Sequence, residues 1–73
     1  MRDKVREILA LVLEVSEEEI DDRFSSDTCS AWNSLAHMTL IGTLEESFEI
    51  RFNESEIPEL TSLALILKRL EQS

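Results

Sequence analysis

Apolar residues recur at intervals of three and four positions in three separate segments of this 73-residue chain. This spacing places them on one face of an α-helix, which completes a turn about every 3.6 residues. The first segment, Asp3 to Val15, therefore predicts an amphipathic helix, with Leu11 off its apolar stripe of Val5, Ile8, Leu9, Val12 and Leu13.

The second predicted helix runs from Ser34 to Phe48, with an apolar stripe of Leu35, Met38, Ile41, Leu44 and Phe48. Asn33 precedes it and suits the N-cap, because its side-chain oxygen can accept a backbone N–H of the first turn. Gly42 either permits close approach of another backbone or a bound chain, or is a tolerated surface glycine.

The third helix is predicted to start after Thr61 or Ser62 as cap, with a stripe of Leu63, Ile66, Leu67 and Leu70. Lys68 and Arg69 fall in its last turns, where positive charge complements the helix dipole. The pattern Ser16 to Glu19 is typical of a capping box, and the Asp- and Ser-rich stretch Asp21 to Ser30 indicates a long loop.

Two apolar residues, Ile20 and Phe24, are expected to pin that loop to the core. The second connection is expected to tuck in Ile50 and Phe52, followed by a helical turn over Glu54 to Ile57 that ends at Pro58. These elements predict an all-α fold. It is a small bundle of three main helices and one short helix, built as a single domain over residues 1–73.

The formal net charge is −9, from 16 acidic and 7 basic residues. Such a chain repels phosphate backbones, which argues against nucleic-acid binding, and it favours protein partners that carry basic patches. Cys29 is the only cysteine, so neither an internal disulfide nor a thiolate metal cluster can form. With no long apolar run and no signal peptide in MRDKVREIL, we expect a soluble cytoplasmic protein without a membrane partner.

The segment from Trp32 to Leu35 opens the second helix with an N-S-L motif, and LAHMTLIGTLEESFEIRF follows it. In length, acidity, long first loop and L-E-E-x-F-x-I helix ending, the chain resembles the acyl carrier protein family. That family usually has D-S-L at this point, so Asn33 replaces the usual aspartate.

This resemblance implies a discrete, non-catalytic, monomeric carrier for fatty-acid, polyketide or related biosynthesis. A phosphopantetheinyl transferase would use Mg²⁺ to move 4'-phosphopantetheine from coenzyme A onto Ser34, which would then carry acyl groups as thioesters. Acyl-loading and acyl-transferring enzymes would be the other partners. The resemblance, together with the position of Leu40 off the core stripe, gives five expected partner contacts: Asn33, Leu35, Leu40, Glu45 and Glu46.

Elementary physics also suits Ser34 to this role, because the first turn of a helix favours a phosphodiester anion. The residues also allow two other functions. Asn33 allows an unmodified, carrier-like binding module. His37, three positions after Ser34, allows a Ser–His hydrolase, although no acid is placed to orient it. We expect His37 to lie at the surface near the arm and Trp32 to pack in the core.

Overall fold

The computed structural model describes residues 1–72, which form three α-helices and two short 3-10 helices. The α-helices are α1 (Arg2–Leu13), α2 (Ser34–Phe48) and α3 (Leu63–Glu71). The first short helix is Glu17–Glu19 and the second is Ile57–Glu59. The predicted all-α bundle is confirmed. Within residues 1–72, no helix is both long enough and apolar enough to cross a bilayer.

Helix α1 ends at Leu13, two residues earlier than predicted, because Glu14 adopts a left-handed conformation with φ 56°. The apolar stripe is as predicted, with four of its residues buried and Val12 partly buried against the core: Val5, Ile8, Leu9 and Leu13. The capping box of Ser16 and Glu19 is also confirmed, and it opens the first short helix.

The long loop is fixed to the bundle at both of its predicted apolar residues. Ile20 and Phe24 are 1% and 6% exposed, and the Phe24 ring stacks on Trp32 with centroids 5.9 Å apart. The loop backbone also bonds the start of α3, since Leu63 donates its N–H to the Phe24 carbonyl oxygen at 3.0 Å. The loop that precedes α2 is therefore held from the α3 side.

Helix α2 has the predicted bounds, but part of its predicted buried face is wrong. Leu35 and Met38 are 83% and 58% exposed, although the spacing placed them in the core. Leu40, placed off the core, is fully buried and packs with Ile41 and Leu44. The true stripe is rotated because α2 is apolar around much of its circumference, so spacing alone did not select the buried side.

Two further expectations about local structure need correction. Pro58 does not end a helical turn, since it lies in the first turn of the second short helix, where its missing N–H is harmless. Gly42 is exposed, and a Cβ built on it would meet no atom within 4 Å. The alternative that Gly42 permits the close approach of another backbone of this chain is therefore wrong, and Gly42 is a surface glycine.

The second connection is held by Arg69 of α3. Its Nε donates to Oε1 of Glu56 at 2.6 Å, and its guanidinium lies 5.3 Å from the ring centroid of the buried Phe52. Helix α3 itself begins after Ser62, whose hydroxyl oxygen accepts the N–H of Leu65. The Arg69 contacts hold the second connection against α3.

Candidate functional site

The start of α2 is built by Asn33, as the sequence predicts. Its backbone is extended, and its side-chain Oδ1 accepts the N–H of Ala36 at 2.9 Å. Its carbonyl oxygen accepts the N–H of His37 at 2.8 Å. These two bonds fix the first turn of α2, and with it the direction in which the Ser34 side chain points away from the helix.

Ser34 is the first residue of α2 and is exposed to solvent. Among residues 1–72, its hydroxyl has no hydrogen-bond partner, and neither do the backbone N–H groups of Ser34 and Leu35. The first turn of α2 contains no acidic residue. An accessible hydroxyl therefore sits beside two free donors at the positive end of a helix dipole, which suits a phosphate ester at this oxygen.

The His37 ring bonds Trp32 and the second short helix, and within residues 1–72 no hydrogen bond joins it to Ser34. The indole N–H of Trp32 donates to His37 Nδ1 at 2.9 Å, and His37 Nε2 lies 2.7 Å from the Ile57 carbonyl oxygen. An indole nitrogen can only donate, so Nδ1 must accept and the single ring proton must lie on Nε2. Both nitrogens of a neutral His37 are thus occupied away from the serine hydroxyl.

This bridge corrects the expectation that His37 lies at the surface, because the ring is partly buried and both of its nitrogens are hydrogen-bonded. Trp32 is 6% exposed, which confirms its predicted place in the core. The Trp32 and His37 rings also stack, with centroids 6.2 Å apart. Sequence reasoning missed the bridge because the Ile57 carbonyl is 20 positions away.

A groove of about 520 Å³ runs beside Ser34 between α2 and the second short helix. It is mostly apolar, and His37 is the one titratable side chain among its lining residues: Ser26, Trp32, Asn33, Ser34, His37, Met38, Ile57, Pro58 and Thr61. No local sequence pattern indicates this groove, because its two walls come from segments about twenty residues apart.

The five expected partner contacts differ in accessibility. Asn33, Leu35 and Glu46 are exposed and remain predictions. Glu45 is partly buried, and its Oε2 accepts the N–H of Phe52 at 2.9 Å, so it stabilises the turn after α2. Leu40 is 0% exposed. The prediction that Leu40 contacts a partner is therefore wrong, because its side chain has no solvent-accessible area.

Cys29 is a free thiol, partly buried in the long loop. Across residues 1–72, no group of three or more His, Cys, Asp or Glu side chains is arranged to hold a metal ion. At the start of α2, an exposed hydroxyl, two free backbone donors and an apolar groove lie side by side.

Comparison with known families matches this arrangement. A family model described as "Phosphopantetheine attachment site" matches residues 3–70, which is nearly the whole chain. No curated protein matches the sequence closely enough to be counted as a relative.

Proposed function

This chain belongs to the phosphopantetheine-attachment-site family and is a carrier of the 4'-phosphopantetheine prosthetic group, and from that premise we propose that Ser34 is the attachment residue. We further propose that the protein works as a discrete acyl carrier with separate enzymes. The observation that carries the proposal is the exposed, unbonded Ser34 hydroxyl at the first position of α2.

The residues around Ser34 position the hydroxyl and leave it unactivated. Asn33 fixes the helix start, and the free N–H groups of Ser34 and Leu35 favour a phosphate ester. His37 cannot act as base while its nitrogens bond Trp32 and Ile57, so the transferase must remove the serine proton. When attached, the prosthetic group supplies a terminal thiol that holds acyl groups as thioesters.

Asn33 sets this chain apart from carriers with aspartate at the same position. The amide caps α2 as a carboxylate would, so the helix start is retained. It offers no negative charge to the Mg²⁺ that the transferase uses, so any charged ligand of that ion would come from the transferase or from the phosphates of coenzyme A. We therefore expect this chain to need a transferase that tolerates a neutral residue before the serine.

The pathway, the partners and the location are proposals supported by composition. We propose a role in fatty-acid, polyketide or related biosynthesis in the cytoplasm, as a monomer served by acyl-loading and acyl-transferring enzymes. The net charge of −9 supports fast encounter with enzymes that carry basic patches. Glu46, exposed near the end of α2, is available to such patches.

The proposal is tested by the intact mass of the protein made in its native host, followed by mapping of the modified peptide. We expect a gain of one phosphopantetheine on Ser34, and any additional mass begins to identify the cargo. Ser34→Ala should abolish the gain, with Ser47→Ala as a matched control on the same helix. A gain that persists in Ser34→Ala would show that the site assignment is wrong.

An unmodified mass with the native transferase present would favour the alternative of a carrier-like binding module. Asn33→Asp distinguishes the cause, because it restores the charge and keeps the cap. Modification of Asn33→Asp but not of the parent would show that Asn33 prevents attachment of the prosthetic group, so that the parent cannot carry thioesters.

A further inference from the structure

The groove beside Ser34 has one ring in its wall that can gain a proton. His37 is the chain's only histidine and Trp32 its only tryptophan. Both side chains line the groove together with Ile57, and His37 bonds the other two residues. Attachment of a prosthetic group to the Ser34 hydroxyl makes no use of these bonds.

The bond between Trp32 and His37 requires a neutral imidazole. Nδ1 of His37 accepts the indole N–H at 2.9 Å, so this nitrogen carries no proton. An imidazolium donates at both nitrogens, and its Nδ1–H would face the indole N–H, which also can only donate. An unperturbed histidine gains this proton at about pH 6.5. A moderate fall in pH therefore acts directly on the bridge.

Of the two rings, His37 is the one that can move away. Trp32 is 6% exposed, and its indole stacks on the buried Phe24 ring. The His37 ring is only partly buried and borders the groove. Rotation toward water relieves the contact between the two donors and hydrates the new charge, which is costly to keep buried without a partner. The same rotation withdraws Nε2 from the Ile57 carbonyl oxygen.

The His37–Ile57 bond is, in the described part of the chain, the one hydrogen bond between α2 and the second short helix. The bonds on either side of that short helix lead to other elements. Glu56 accepts from the guanidinium group of α3, and the Thr61 carbonyl oxygen accepts a backbone N–H of the long loop. Loss of the His37 bond therefore frees the short helix from α2 while it stays joined to α3 and the loop. Because α2 and the short helix are the two walls of the groove, their separation widens it.

Four carboxylates and one thiol lie nearest to the bridge along the chain, on the elements that form it: Asp27, Cys29, Glu45, Glu56 and Glu59. Within residues 1–72, none of them hydrogen-bonds or pairs with His37. The Asn53 N–H and the Arg69 guanidinium lower the pKa of Glu56 below 4.5, so this carboxylate keeps its partners at about pH 5. Exposed carboxyls and thiols ordinarily keep one charge state between about pH 5 and about pH 7.5. The imidazole is thus the group whose charge change acts on the bridge in this range.

We propose that the bridge from Trp32 through His37 to Ile57 is a proton-operated latch on the groove beside Ser34. Neutral His37 holds the second short helix against α2, and protonation of His37 releases the short helix and widens the groove. The latch is a property of the unmodified chain. Only its effect on a group carried by Ser34 rests on the proposed function.

The test compares amide and indole hydrogen exchange of the full chain by NMR at about pH 7.5 and about pH 5. The reporters are the single indole N–H and the N–H of Leu60, which donates to the Ile57 carbonyl oxygen at 3.2 Å. His37→Gln is the reference at each pH, because glutamine offers one acceptor and one amide donor but does not titrate. Comparison at equal pH also removes the intrinsic pH dependence of exchange.

At about pH 5 both reporters should exchange about tenfold faster in the parent than in His37→Gln, and at about pH 7.5 the two proteins should agree within about twofold. In Trp32→Phe, Leu60 should stay within about twofold of the His37→Gln value at both pH values, because the imidazolium no longer faces a donor. Glu59→Gln is the matched charge control and should behave as the parent.

Nitrogen NMR of the parent provides a second measurement that does not depend on any variant. The single imidazole should carry its proton on Nε2 at about pH 7.5 and be doubly protonated at about pH 5. An imidazole that stays neutral at the lower pH would overturn the latch, as would protonation without faster exchange of Leu60. Faster exchange that persists in Trp32→Phe, or that is lost in Glu59→Gln, would also overturn it.

Ser34→Ala separates this inference from the proposed function. The latch should operate in Ser34→Ala as in the parent, because none of its bonds involves the serine hydroxyl. A chain that never gains the prosthetic group but opens at low pH would overturn the proposed function alone. A chain that is modified on Ser34 but shows no faster exchange at low pH would overturn the latch alone.

Discussion

Helices α1 and α2 both bury one apolar side in the same core, but they present opposite surfaces to solvent. The exposed side of α1 begins with charged residues: Arg2, Asp3, Lys4 and Glu7. The exposed side of α2 carries no charge until Glu46. A charged outer side favours contact with water, whereas exposed apolar side chains beside the Ser34 hydroxyl are available for contact with another protein.

This difference also explains why α1 was predicted correctly and α2 was not. In α1, charged side chains mark the solvent side, so the apolar stripe can face only the core, and the one large apolar residue off that stripe, Leu11, is exposed. In α2, apolar residues occur on both sides, and two stripes with helical spacing are possible. Burial of Leu40 in place of Leu35 was decided by contact with the other helices, which no local pattern records.

The largest expected effect comes from truncating the buried side of α2. Leu40→Ala should lower the free energy of unfolding by roughly 2–5 kcal/mol, because it leaves a cavity in a small core. Leu35→Ala should change it by less than about 0.5 kcal/mol, because the side chain is already in water. Urea denaturation followed by far-UV circular dichroism measures both. Equal losses of unfolding free energy in the two variants would contradict the burial of Leu40 and the exposure of Leu35.

A smaller effect is expected at the bridge that joins α2 to the second short helix. His37→Ala leaves the buried indole N–H of Trp32 and the Ile57 carbonyl without their partner, so unfolding free energy should fall by about 1–3 kcal/mol. In a Trp32→Phe background the same change should cost less, because one of the two bonds is already absent. Strict additivity in this double-mutant cycle would contradict the Trp32–His37 hydrogen bond.

The cap of α2 should contribute about as much as other N-caps. Asn33→Ala should lower the free energy of unfolding by about 1 kcal/mol, while Asn33→Asp should lie within about 0.5 kcal/mol of the parent. Thermal denaturation at constant pH measures both variants. A large loss in Asn33→Asp would show that the neutral amide is needed for more than capping.

The smallest effect is a pH dependence on the α3 side of the molecule. The backbone N–H of Asn53 and the guanidinium of Arg69 both donate to the Glu56 carboxylate and lower its pKa below the usual value of 4.5. A lowered pKa in the folded state stabilises the fold above pH 4.5, and this contribution is lost as the pH falls through the folded-state pKa.

Urea denaturation of the parent and Glu56→Gln between pH 7 and pH 3 should therefore show a stability difference that narrows below about pH 4.5. Glu46→Gln controls for the loss of one negative charge on an exposed helix side. A difference that stays constant over the whole range would contradict the role of the Glu56 carboxylate.

Local patterns predicted the elements of this fold well. The bounds of α2, its Asn33 cap, the capping box at Ser16 and the anchoring of Ile20 and Phe24 all depend on residues close in sequence, and all are confirmed. The position of Ser34 at a helix start was predictable for the same reason. The groove beside it and the His37 bridge were not, because both join segments about twenty residues apart.

The sequence by itself determined that there are three main helices, that Asn33 caps α2 and that Ser34 opens it, because spacing, capping and turn preferences act within one or two helical turns. The tertiary structure decided which side of α2 is buried, which groups the His37 ring bonds and what surface surrounds Ser34. Those outcomes depend on packing between helices and on hydrogen bonds between distant segments, which are formed only when the whole core is assembled.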